Sequence, residues 1–157
     1  MDSHTHFLFP FFLALILAKL QILPVSLAVL AGVIGVIIDI DHYVEHILHQ
    51  KKNRFSISST WNNSMKYHRF AQRSFIHEGL GIGIISLLLL PLLILNVQYF
   101  LAISLGYYTH IFLDYIKVKK PHYLNLKLGK LYFRETHTEL VFDVILFVGI
   151  ILILQSL

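Results

Sequence analysis

Of 157 residues, 56% are hydrophobic and only 14% are charged, against about 25% charged in a soluble domain, which argues against a self-contained fold with a polar coat. Cysteine is absent, so disulfides, thiolate zinc sites and cysteine nucleophiles are excluded, and the ten histidines leave imidazole and carboxylate as the means of building any metal site. In a chain this apolar, a formal charge of +4 reports membrane orientation and anionic lipid contact, and no nucleic-acid partner is expected.

The apolar residues come in five blocks, not in alternation, as expected where lipid is the solvent. The first runs from Phe7 to Leu23, broken only by Lys19 and Gln21. It lacks a basic leader and a small-residue cleavage site, so it reads as a retained helix and not as a signal peptide. The second runs from Pro24 to Ile38, the third from Gly79 to Val97, the fourth from Tyr99 to Ile116 and the fifth from Leu140 to Leu154. Leu23-Pro24 and Asn96 to Gln98 read as tight helical hairpins. The first two blocks are short and would tilt, thin the bilayer or form a shallow hairpin. The predicted fold is all-α: one integral membrane domain over residues 1–157, a polytopic helix bundle with four or five transmembrane helices.

The polar stretches are His42 to Glu78 and Lys117 to Glu139, and they hold every Lys and Arg except Lys19. With five crossings, the N-terminus and both basic stretches share one face, which the positive-inside rule makes cytoplasmic. All ten histidines lie on or near that side.

Titratable residues mark the ends of these blocks. Asp39-Ile40-Asp41-His42 closes the second, followed by Glu45, His46 and His49. On a continuing helix Asp39, His42 and His46 share a face, which suits a divalent cation; the alternative is helix-end polarity at the headgroups. His77 and Glu78 precede the third block, with Glu78 a candidate proton acceptor. Arg69 and Arg73, one turn apart, suit a phosphate or headgroup, or add to the positive-inside charge. His110 and Asp114 are four apart in the fourth block, placed to bind one cation together or to act as ligand and orienting acceptor. Thr5-His6 precedes the first block. His137 and Glu139 read as interfacial, whereas Asp143, a turn inside the fifth block, requires a partner. His46, His49 and His122 read as surface residues. Gly79, Gly81 and Gly83 follow no strand and read as helix-packing glycines.

In order, these motifs resemble the YdjM-type family of inner-membrane, metal-dependent hydrolases over residues 5 to 116. Thr5-His6 matches the family's Thr-His. Asp39-Ile40-Asp41-His42 matches its Pro-Asp-Ile-Asp-His, with Ile38 in place of the proline. Gly106, Tyr107, His110 and Asp114 match its Gly-Tyr-x-x-His-x-x-x-Asp in full. The middle motif keeps Arg73 and His77 but has Gln72 where the family has histidine; His68, one turn earlier, is the candidate substitute.

The resemblance implies an inner-membrane hydrolase with its active face cytoplasmic. It assigns His6, Asp39, His42, His77, His110 and Asp114 as ligands of a divalent ion, zinc or manganese. Such an ion activates water as a nucleophile. Asp41 or Glu78 would take the proton and Arg73 would steady an oxyanion. Membrane lipids are the expected surroundings, and a lipid-linked or phosphoester substrate follows from the location. The competing expectation is a non-catalytic membrane protein that binds, senses or carries a metal ion or proton through the same residues.

Overall fold

A computed structural model describes residues 3–49, 51–67, 75–116, 123–128 and 131–157, and of residues 41, 42, 45, 49, 63–67, 123–128 and 131–135 the backbone only. The five apolar blocks are helices: α1 (Ser3–Lys19), α2 (Val25–Ile37), α5 (Gly79–Leu95), α6 (Val97–Tyr115) and α7 (His137–Leu154). Between α2 and α5 lie α3 (Ile40–His49), α4 (Ile57–Tyr67) and a 3-10 turn, Phe75–His77. The fold is helical, as expected, with one addition in the second basic stretch. Tyr123–Leu128 (β1) and Leu131–Thr136 (β2) pair antiparallel, Tyr123 opposite Thr136 and Leu128 opposite Leu131.

Both short hairpins form. After α1 the chain turns through Gln21, held at φ 59, and the Ile22 N–H returns to the Leu17 carbonyl at 2.9 Å. A residue with φ > 0 just past a helix end closes it by satisfying its last carbonyls. Between α5 and α6 only Asn96 intervenes. Its Oδ1 accepts from the N–H groups of Gln98 (3.1 Å) and Tyr99 (3.2 Å), an N-cap that starts α6 at once.

Small residues let α1, α2 and α6 approach closely. Ala14, Ala28, Ala31 and Ala102 are fully buried, with Leu15, Leu23, Leu27 and Ile150 around them. Without a strong hydrophobic drive between helices in lipid, such backbone-to-backbone packing is what holds a bundle together. At Gly106 a Cβ would lie 2.6 Å from the Ala31 carbonyl oxygen. Of the three glycines opening α5, Gly81 packs on the backbone of Phe75, whereas a Cβ at Gly79 or Gly83 would meet nothing within 4 Å among the described residues.

By length and composition α7 is the one described helix that is apolar and long enough to cross a membrane unaided. α1 and α5 have 17 residues each and α2 has 13. At 1.5 Å per residue they span about 20–26 Å of a hydrocarbon layer about 30 Å thick. The antiparallel run of these helices brings the start of α1, the end of α2, the start of α5, the end of α6 and the start of α7 to the same end. That end carries the candidate site.

Candidate metal centre

Five titratable side chains meet there. His6 comes from the first turns of α1, and Asp39 from the turn between α2 and α3. His77 ends the 3-10 turn before α5, and His110 and Asp114 lie one turn apart near the end of α6. Asp114 is the hub. Its Oδ1 is 3.2 Å from His6 Nε2, and its Oδ2 is 3.2 Å from His77 Nε2 and 3.4 Å from His110 Nε2. Asp39 Oδ1 lies 3.6 Å from His110 Nε2. The His77 and His110 Nε2 atoms are 2.9 Å apart, and the His6 and His110 rings stack with centroids 4.0 Å apart.

The three imidazoles are buried, while the Asp39 and Asp114 side chains keep about a quarter of their surface exposed. The site therefore opens through its carboxylates. Two overlapping groups, His6 with Asp39 and His110, and His77 with His110 and Asp114, each bring their ligand atoms within 4.8 Å of one another.

His110 has a determined tautomer. Its Nδ1 is 2.6 Å from the Gly35 carbonyl oxygen, which can only accept, so Nδ1 carries the proton. In the neutral ring, the Nε2 lone pair then faces the cluster. A metal-binding histidine is usually held this way, its second nitrogen donating to a carbonyl or carboxylate. Three imidazoles and two carboxylates suit zinc or manganese, and the two carboxylates balance a divalent charge. His110 offers one Nε2, so it can serve only one ion at a time.

Local sequence explains the close approach. Pro10 has no N–H to return to the His6 carbonyl one turn earlier, and Gly35 of α2 packs directly on that carbonyl. A Cβ at Gly35 would overlap it and press within 3.0 Å of Pro10 Cγ. On the other side, Tyr107 Oη donates to the Ile76 carbonyl (2.8 Å) and Tyr115 Oη to the His77 carbonyl (3.3 Å). These bonds tie the 3-10 turn to α6 and set the height of His77. Neither Gly35 nor Tyr115 was singled out by sequence reasoning, because nothing in their spacing distinguishes them from packing residues.

Of the sequence-predicted residues, the structure brings His6, Asp39, His77, His110 and Asp114 together. Glu78 follows His77 at the N-cap of α5, exposed and without a capping bond of its own. The side chains of Asp41 and His42, and all of Arg73, His68 and Gln72, lie outside the described residues. Two expectations are corrected. Asp39 sits in a turn and not on a helix continuous with α3. His46 is buried, with Nε2 3.2 Å from the Asn53 carbonyl oxygen in the α3–α4 connection. Glu139, in the first turn of α7, is also buried.

Asp143 has its partners. Thr5 Oγ1 lies 3.0 Å from Asp143 Oδ2 and 3.2 Å from Glu139 Oε1, and His4 Nε2 lies 2.7 Å from Asp143 Oδ2. α7 thus grips the residues on the N-terminal side of His6. The His6 Nδ1 is buried with no hydrogen-bond partner among the described residues, so its ring is held by the Asp114 contact at Nε2, by stacking on His110 and by this placement of the α1 backbone.

A family model described as YdjM inner membrane protein matches residues 1–124. No curated protein and no solved structure matches the chain.

Proposed function

The chain belongs to the YdjM inner membrane protein family, and from that premise we propose that it is a metal-dependent hydrolase working at the cytoplasmic face of the inner membrane. The observation that carries this reading is the convergence of three imidazoles and two carboxylates from α1, the α2–α3 turn, the 3-10 turn and α6. Buried titratable groups at a membrane edge are unfavourable unless a ligand or partner compensates them. In this reading α1, α2, α5, α6 and α7 supply four or five crossings, the shorter helices thinning the bilayer around them. The basic stretches are cytoplasmic by charge bias. Aqueous labelling of a Ser58→Cys variant from the periplasmic side would overturn that orientation.

His6, His77, His110, Asp39 and Asp114 would hold zinc or manganese, with His42 completing the set. The bound ion supplies Lewis acidity and lowers the pKa of water towards neutrality. The chain's own residues do the rest. Gly35 fixes the His110 tautomer, the aromatic hydroxyls hold His77, Glu78 or Asp41 accepts a proton, and Arg73 balances charge on a phosphate oxygen. A lipid-linked phosphoester fits a site that opens at headgroup level through two carboxylates. The test is release of phosphate from phosphatidic acid in nanodiscs by the zinc- or manganese-loaded chain. Turnover that needs the metal and disappears in Asp114→Asn supports the proposal.

A second reading, a carrier or sensor of a proton or metal ion, draws on the 2.9 Å contact between the His77 and His110 nitrogens, a distance suited to sharing a proton. Metal binding without turnover, together with ion or proton movement in liposomes, would favour it.

A further inference from the structure

Exposed apolar rows lie on both α2 and α3. On α2 the exposed apolar residues Val25, Val29, Val33 and Ile37 recur every fourth position, and on α3 Ile40, Val44 and Leu48 take up the same spacing. Residues four apart lie on one helix face. Ile40 is 55% and Leu48 64% exposed, and Phe55, just beyond, is 73% exposed. Lys51, Lys52 and Arg54 fill the connection between them, all exposed.

Arg54 is built into the fold. Its Nε donates to the Ile47 carbonyl in the last turn of α3 at 2.8 Å, and its guanidinium lies 5.9 Å from the Phe55 ring centroid. The two terminal nitrogens of that exposed group are left for an outside acceptor. An apolar row ending in a cation cluster, with an arginine anchored beside an aromatic ring, is the signature of a helix lying in a membrane interface.

We propose that α3 and residues 51–57 dock on an anionic lipid surface. The stripe Ile40, Val44 and Leu48 with Phe55 enters the acyl boundary, and Lys51, Lys52 and Arg54 bind lipid phosphates. Charge complementarity selects the occupant. Asp39 immediately precedes α3, so this docking sets the depth of the candidate metal centre and holds its opening among headgroups. The inference rests on the membrane reading and not on the metal.

Because the chain has no cysteine, Leu48→Cys offers a single labelling position. The full chain, labelled there with an environment-sensitive fluorophore, is placed in nanodiscs of phosphatidylcholine alone or mixed with phosphatidylglycerol, with and without brominated acyl chains. Docking predicts blue-shifted emission and bromine quenching that are stronger in the anionic discs. Each cation is worth about fivefold in association with such a surface, so Lys51→Gln with Lys52→Gln lowers the anionic preference about 25-fold, and high salt on the unsubstituted loop returns the signal to the neutral-disc level. A label quenched by aqueous iodide and not by bromine in both discs overturns the proposal. So does quenching equal in neutral and anionic discs, or a label shielded from both quenchers by a second copy of the chain. Metal content is independent of all these outcomes, so failure here leaves the metal reading standing, and the reverse.

Discussion

Gly35→Ala is the smallest change that reaches the candidate centre without touching a ligand. The added Cβ overlaps the His6 carbonyl oxygen and lies 3.0 Å from Pro10 Cγ, so α1 and α2 must part by about 1 Å to restore ordinary contact. Gly35 also accepts the 2.6 Å hydrogen bond from His110 Nδ1. Moving it away from α1 pulls His110 from its stack on His6, and moving α1 instead displaces His6. Overpacking of this kind costs about 1–3 kcal/mol, and a metal site tolerates about 0.5 Å of ligand misplacement. Losing support of this kind usually weakens metal binding by about 10- to 100-fold. The assay is competition against a chromogenic chelator in detergent, with circular dichroism to confirm retained helix. Gly83→Ala, where nothing lies within 4 Å, is the control and should bind as wild type does. Unchanged metal affinity in Gly35→Ala would refute the packing argument.

The remaining predictions concern supports around the site. Tyr107→Phe and Tyr115→Phe each remove one hydroxyl donor to the 3-10 turn, at about 1 kcal/mol each. Both should weaken zinc binding in the same chelator competition, and Tyr107→Phe more, since its bond is the shorter (2.8 against 3.3 Å). Thr5→Val keeps the volume but deprives buried Asp143 and Glu139 of a donor, which should lower stability by about 1–3 kcal/mol in thermal unfolding. A Thr5→Val protein as stable as wild type would show the latch to be idle.

The helices were legible because a lipid-solvated segment must be apolar along its whole length, and the five blocks match α1, α2, α5, α6 and α7 to within a few residues at each end. The convergence of Asp39, His77, His110 and Asp114 was legible for a related reason: each stands at or near the end of an apolar block, and unpaired titratable groups are unfavourable there. The β1–β2 hairpin had a signal that went unread. Leu124, Leu126 and Leu128 alternate with polar residues, and Gly129-Lys130 is a two-residue connection; the basic residues of the stretch drew attention to charge instead. The contact between Glu139 and Thr5 went unread because the two lie 134 residues apart and no local pattern announces it. Gly35 could not be distinguished from a packing glycine, since its role depends on Pro10 and on the tautomer of His110.

The most direct test of the account is elemental analysis of the detergent-purified chain beside Asp39→Ala and Asp114→Ala. Asp39 and Asp114 belong to the two overlapping ligand groups, one to each. The account predicts stoichiometric zinc or manganese in the wild type and its loss from both variants. A wild type free of metal, or variants that retain it in full, would contradict the account.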